Sequence, residues 1–216
     1  MASPTMIQNE QLVKGIVACT ACRLAVDRGS GLAVPADVGE RYNTGGLALL
    51  LEAPGAEEEK LYDTLKVEGR KEFSFGKPLV GRSGQLMDAI LAQSGLSRSE
   101  VLVLNRIRCR PPRNRIDDYP DAIAQCDTWV KKELEAYDPA VVILCGNTAL
   151  KSVFGATASI TSYRGNVRST SEGFPYGCRV FIPTFHPAYA ARNGGISSSI
   201  GQDIIKDIRL GTEFLW

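Results

Sequence analysis

Val101-Leu102-Val103-Leu104-Asn105-Arg106-Ile107-Arg108-Cys109-Arg110-Pro111-Pro112-Arg113-Asn114-Arg115 is the stretch whose reading decides the fold. Its first four residues form a short apolar run rich in valine and leucine, which reads as a buried strand. An amide follows, then five arginines within residues 106–115, with a cysteine and a Pro-Pro pair among them. A buried strand that ends in chemically capable residues suits an open α/β sheet, where ligands gather at the carboxyl ends of the strands. Asn105 stands at that end, and its amide both donates and accepts, which suits reading the edge of a nucleobase. The arginines carry enough positive charge to hold a phosphate backbone. Cys109, set between two arginines, is oddly placed for a structural thiol. Taken singly, an Asn at a strand end is a turn residue, and an arginine run is solvated surface. Their combination points to a base reader, a phosphate clamp and a thiolate ligand on one loop.

Three other runs read as core strands: Leu47 to Leu51, Ala140 to Cys145, and Arg179 to Pro183. Helical patterns separate them. Residues 6–18 place Ile7, Leu12, Ile16 and Val17 at helical spacing, and residues 27–46 read as loop. Ser83 is placed to cap a helix whose apolar face is Leu86, Met87, Ile90 and Leu91. Further helices are expected from Tyr119-Pro120-Asp121 to about Ala136, just after Gly146-Asn147-Thr148, and from about Ser199 to Leu210. The segment 61–75 is polar, with Tyr62, Phe73 and Phe75 as its rings, and reads as a surface insertion. Strands alternating with helices make the class α/β: three α/β/α layers around a central, mainly parallel four-stranded sheet. The strand ends are then Glu52, Asn105, Cys145-Gly146 and His186, all on one sheet edge.

A chain of 216 residues is most simply one domain over 1–216. It is 44% hydrophobic and 23% charged with a net charge of +1, so any basic surface is local. No apolar run is long enough to span a bilayer, and Met1-Ala2-Ser3-Pro4-Thr5 lacks the pattern of a secretory leader. A monomeric, cytoplasmic protein that does not enter a membrane is the expectation. In a reducing compartment the six cysteines are metal ligands or buried thiols rather than disulfides.

Cys19-Thr20-Ala21-Cys22 has the spacing that lets two thiolates reach one metal or cluster, although a lone C-x-x-C is weak evidence. His186 is the single histidine, and Pro187 after it fixes the local backbone and holds the imidazole at the sheet edge. Glu52 stands at a strand end before Ala53-Pro54-Gly55, and Glu57 to Glu59 suit a helix N-terminus.

The ordered set Glu52-Ala53-Pro54-Gly55, Gly76-Lys77-Pro78-Leu79-Val80-Gly81-Arg82-Ser83-Gly84-Gln85-Leu86, Asn105 to Arg115, and His186-Pro187-Ala188 resembles the family 4 uracil-DNA glycosylases, the iron–sulfur members of that superfamily. The resemblance runs from about Cys19 to the C-terminus. It implies excision of uracil from DNA in base-excision repair, with uracil-containing DNA as the partner. It also implies a structural 4Fe–4S cluster on Cys19, Cys22, Cys109 and Cys126, four thiolates that zinc could equally use. Cys145 and Cys178 read as buried small residues.

For that reaction negative charge develops at the uracil O2 and calls for a donor there, for which His186 is the candidate, and Asn105 can accept from N3–H and donate to O4. By the same resemblance, Glu52 orients water or offsets the sugar's positive charge, and Glu58 holds a secondary catalytic position. Gly55 and Leu79 line the base site, while Arg82, Ser83, Arg110, Arg113 and Arg115 face DNA. The chain departs from the family pattern at Leu79, where a stacking Phe is usual, and in its long spacer before Gly76. Phe75 is the favoured replacement ring, ahead of Phe73. Two other readings stand beside this one: a superfamily member with altered base specificity or tight uracil binding, and a non-catalytic iron–sulfur module that binds nucleic acid.

Overall fold

The computed structural model describes residues 4–28, 33–60, 77–169 and 180–215. Four strands form the centre: β2 (Leu47–Leu51), β3 (Val101–Asn105), β4 (Val141–Cys145) and β6 (Val180–Thr184), and every residue in them is buried. They run parallel, β3 beside β2, β2 beside β4 and β4 beside β6. Two short edge strands complete a six-stranded sheet, β1 (Asp37–Val38) against β3 and β5 (Arg168–Ser169) against β6, both antiparallel. The expected four-stranded sheet is thus the core of a larger one. A two-residue strand carries too little pattern to show in sequence, which is why the 27–46 loop concealed β1.

Burial on both faces follows from helices above and below the sheet. On one face Leu47, Leu49, Leu51, Val101, Val103, Val141 and Ile143 pack against α3 (Arg82–Gln93) and α8 (Ser199–Thr212) through Met87, Ile90, Leu91, Ile204 and Ile208. On the other, Leu50, Leu102, Leu104, Val142, Leu144 and Phe181 meet α4 (Pro120–Tyr137), α5 (Asn147–Phe154) and α6 (Ile160–Tyr163) through Val130, Leu134, Leu150, Val153 and Ile160. Strict alternation along each strand divides its side chains between the two cores. The result is the expected α/β/α arrangement.

A third, smaller core lies outside these layers. Ile16 of α1 (Pro4–Val17) and Leu24 of α2 (Arg23–Asp27) pack with Ile107, Cys109, Ile116 and Cys126, joining the N-terminal segment to the arginine loop and the start of α4. Ser83 does not cap α3: the helix begins at Arg82 with Gly81 as its N-cap, so Ser83 lies in the first turn. Residues 61–76, with Phe73 and Phe75, lie outside the described residues, as do Cys178 and Arg179. Among the described residues no helix is long and apolar enough to cross a membrane.

Candidate active site

Parallel strands put their carboxyl ends on one side, and three of the four end in functional groups. Glu52 follows β2, Asn105 ends β3 and His186 lies two residues beyond β6. All three line one cavity of about 450 Å³, whose walls also include Gly55, Glu58, Leu79, Arg82 and Ser83. The sequence assigns those five to the site by resemblance, and the fold brings all eight together. Asn105 is 4% exposed and lines the cavity, so its amide is withdrawn from bulk water.

His186 is the N-cap of α7 (Pro187–Arg192), with Pro187 at the first helical position, where a missing N–H costs nothing. Its Nδ1 accepts a hydrogen bond from the Ala188 N–H at 3.1 Å. An acceptor at Nδ1 requires the ring proton to sit on Nε2 in the neutral imidazole. Burial, with the Arg192 charge adding to it, pushes the imidazole down to about 4. The ring is therefore a neutral donor at physiological pH. Gly146, at φ 92°, backs this ring: a Cβ there would lie 3.1 Å from the His186 Cβ, and the left-handed backbone disfavours other residues.

Two carboxylates shape the opposite wall. Glu52 accepts a hydrogen bond from the Thr148 hydroxyl of α5 at 2.5 Å. Glu58 is 9% exposed, and its carboxylate accepts from the Gly55 N–H at 2.9 Å and from the Val80 N–H at 3.2 Å. It ties the turn after β2 to the segment before α3. Leu79 sits between these features at φ 58°, a left-handed conformation uncommon for leucine. Gly84 accommodates it, since a Cβ there would come within 1.7 Å of the Leu79 carbonyl oxygen. Arg98 donates to the Pro78 carbonyl at 2.5 Å and pairs with Asp37 at 3.4 Å, holding the turn from behind. No phenyl, phenol or indole ring lines the cavity among the described residues.

The sequence pattern of the uracil DNA glycosylase superfamily matches residues 47–208, from the first core strand into the last helix. The chain belongs to that superfamily. Its relatives include the type-4 uracil-DNA glycosylase of Thermotoga maritima, 33% identical over 198 residues that cover 91% of this chain and 89% of the relative. The type-4 uracil-DNA glycosylase of Sulfurisphaera tokodaii is 30% identical over 200 residues, covering 91% and 82%. That of Saccharolobus solfataricus is 30% identical over 191 residues, covering 87% and 79%.

In this uracil-DNA glycosylase superfamily member the arginine loop divides in two. Arg106 and Arg108 are 4% and 1% exposed, and they pair with Asp127 at 3.1 Å and with Glu133 respectively. Those two arginines are therefore internal, which corrects the reading of all five as a phosphate clamp. Arg110 is half-buried and pairs with Glu59. Arg113 and Arg115 are exposed, and Arg115 pairs with Asp118 at 3.1 Å. A second hollow of about 690 Å³ adjoins the first, sharing Glu52 and Asn114, with Arg115 and Lys151 in its wall. Thr148, which touches Glu52, and Arg192, which lines the cavity, carried no assignment from sequence, and Asn114 of the arginine loop lines both hollows. Thr148 follows the end of β4, a position that could have marked it.

Of the four candidate cluster cysteines, Cys109 and Cys126 belong to the third core, Cys22 packs against it, and Cys19 meets Trp129, which borders it. Cys109 and Cys126 are buried, while Cys19 and Cys22 are half-buried. Burial pushes the Cys109 thiol up to about 11, with further increments from Cys126 and Cys22, and burial likewise raises Cys126. Thiolates this close repel one another. N–H donors surround the sulfurs: Arg28 Nη1 lies 3.1 Å from Cys109 Sγ, and Trp129 Nε1 lies 3.3 Å from Cys19 Sγ. The buried Nε and Nη1 atoms of both Arg106 and Arg108 have no hydrogen-bond acceptor among the described residues, and both guanidinium groups act on Cys126. Among the described residues no three His, Cys, Asp or Glu side chains are grouped so as to hold a single metal ion. Cys145, wholly buried in β4, is a core thiol pushed up to about 12 by burial.

Proposed function

We propose that this chain hydrolyses the N-glycosidic bond of uracil in DNA, the activity for which its type-4 relatives are named. The observation that carries the reading is the convergence of Glu52, Asn105 and His186 on one cavity at the sheet edge. A base inside a duplex hides its glycosidic bond, so the nucleotide must turn out of the stack and enter a pocket. Breaking C1′–N1 leaves an oxocarbenium-like sugar and a uracil anion whose charge develops at O2. His186, neutral and donating through Nε2–H, stabilises that charge without first surrendering a proton.

Asn105 accepts from uracil N3–H and donates to O4, whereas cytosine presents the inverse pattern at both atoms. A wrong base would leave a buried amide unpaired, which is the stronger form of discrimination. Glu52, held by Thr148, orients water at C1′ or offsets the sugar's positive charge. Water then supplies hydroxide to C1′ and a proton to the departing base, leaving an abasic site. Glu58, with both neighbouring N–H groups to hold, frames the pocket together with Gly55 and Leu79. Arg82 and Ser83 in its wall and the exposed Arg113 and Arg115 beyond it hold phosphates, and Arg110 is restrained by Glu59.

A 4Fe–4S cluster fits Cys19, Cys22, Cys109 and Cys126 on the chemistry of that donor set. Bound iron would neutralise buried thiols that repel as thiolates, and the Nε and Nη1 groups of Arg106 and Arg108, which lack an acceptor among the described residues, suit a site of net negative charge. When bound, the cluster supplies a covalent tie between the N-terminal segment and the arginine loop. Purified protein should be brown and carry iron; stoichiometric zinc without iron would overturn this part of the reading. The same reading takes the protein to be a cytoplasmic monomer, the cytoplasm being a compartment where thiols stay reduced and available to a cluster.

An oligonucleotide with one uracil, incubated with the protein and then treated with alkali, tests the activity: strand cleavage at the uracil is expected, and its absence refutes the proposal. A second reading, a wider base range, is favoured by Leu79, which lines the cavity where the family pattern has a stacking Phe. The same assay across several modified bases decides it.

A further inference from the structure

We propose that Arg164, Thr184 and Asp207 form a positioning network that fixes the ring of His186. The inference rests on the reading of His186 as the donor to the leaving base. Sheet pairing ends at Cys145 opposite Thr184, so Phe185 and His186 have no strand beside them. Something other than the ladder must set their direction. Each residue at this strand end has a separate anchor.

Thr184 is fully buried, and its hydroxyl donates to Asp207 Oδ2 of α8 at 2.6 Å. Its carbonyl accepts from the N–H of Gly146 at 2.9 Å, the residue that backs the imidazole. Asp207 is 2% exposed, and its Oδ1 lies 3.4 Å from Arg164 Nη2. Arg164 also pairs with Asp203, one helical turn earlier, at 3.1 Å. The guanidinium carbon of Arg164 stands 5.3 Å from the centre of the Phe185 ring, which lies 5.6 Å from the Tyr189 ring. Gly165 completes the arrangement: its N–H donates to the Pro183 carbonyl at 3.1 Å, and a Cβ there would lie 3.3 Å from Asp207 Oδ1.

A buried ion pair is a weak source of stability, since apolar residues of equal volume often serve as well. Directional bonds do something apolar packing does not: they lock a strand end to within a fraction of an ångström. A catalytic donor needs that accuracy. Thr184 and Phe185 precede His186 directly, so their two anchors fix where the imidazole begins. The Ala188 N–H then fixes how it turns.

The chain has one histidine, so the ring-nitrogen NMR spectrum contains one imidazole and reports its tautomer directly. The parent should show the Nε2–H tautomer alone. Thr184→Val removes the hydroxyl at constant shape, and Arg164→Met removes the guanidinium from a side chain that is one-quarter exposed. Both variants should show a mixture of tautomers and a single-turnover excision rate lower by roughly a hundredfold, as a misplacement of about 1 Å produces. Affinity for uncleavable uracil DNA should be unchanged, and Thr184→Ser should restore both ring signals and rate. Should Thr184→Val fail to fold, Arg164→Met carries the test. Parental ring signals and rate in the folded variants overturn the network while leaving an inactive His186→Ala protein unaffected. Shifted ring signals in a background where His186→Ala excises normally would keep the network and remove the donor role.

Discussion

Replacing His186 by alanine isolates the chemical step more cleanly than any other change in the cavity. The ring already holds its working form in the free protein: Nδ1 is occupied by the Ala188 N–H, Nε2 carries the proton, and protonation is pushed down to about 4. The variant loses one preorganised donor to developing charge, worth roughly 2.7–4 kcal/mol, or about a hundred- to a thousandfold in rate. Single-turnover excision at saturating protein should fall by that factor, with affinity for uncleavable uracil DNA nearly unchanged. The ratio of parental to variant rate should be flat from neutral pH down towards 5, because the ring does not titrate there. Stability follows the same depressed value. Unfolded chains take up the proton near the ordinary histidine pKa, so the parent loses stability as pH falls from about 6.5 towards 4, and the alanine variant lacks this loss. Equal losses in binding and rate would make His186 a structural residue. A step in the rate ratio near 6.5 would refute the fixed-tautomer argument.

Asn105→Ala should lower uracil excision by about 1–3 kcal/mol, or roughly five- to 150-fold, and weaken discrimination against cytosine, since the lost amide leaves the base edge unpaired; parallel single-turnover rates on both bases check this. Arg113→Ala and Arg115→Ala should each weaken DNA binding without sequence dependence and reduce the salt slope by about one unit, as read by fluorescence titration over a range of salt. Arg106→Ala should leave that slope unchanged, because its guanidinium is internal and paired with Asp127. Glu133→Ala should destabilise the fold by about 3–5 kcal/mol in urea unfolding, because it strands the buried Arg108 charge.

Much of the fold was legible because the four central strands are buried on both faces, and such strands announce themselves as unbroken apolar runs. The helices between them carried their own apolar spacing. What sequence missed were elements too short to hold a pattern: the two-residue strands β1 and β5, the five-residue α2 and the single turn and a half of α7. Ser83 misled for a related reason. A serine before an apolar helix face is a good cap in isolation, but the chain enters α3 through Gly81, whose position is set by the Leu79 turn and Gly84.

The site was legible to a different degree for each kind of residue. Glu52, Asn105 and His186 could be placed together because topology alone sends the ends of parallel strands to one edge. The arginine loop could not be divided from sequence, because burial is decided by partners far along the chain. Arg108 turns inward to reach Glu133, and Arg106 turns to Asp127, both on α4, while Arg113 at φ 55° turns out. Position along the loop explains the division. Arg106, Ile107, Arg108 and Cys109 still run along the sheet's end and are all buried, whereas the Pro111-Pro112 pair breaks the chain away towards solvent. Under the proposed function the inner arginines lie beside Cys126 and act on its thiol, and the exposed ones beyond the prolines are left to meet DNA. A proline pair thus separates two uses of one residue type. Moving that boundary, by replacing Pro111 and Pro112, should disturb DNA affinity and iron content together, where an outer arginine variant disturbs affinity alone.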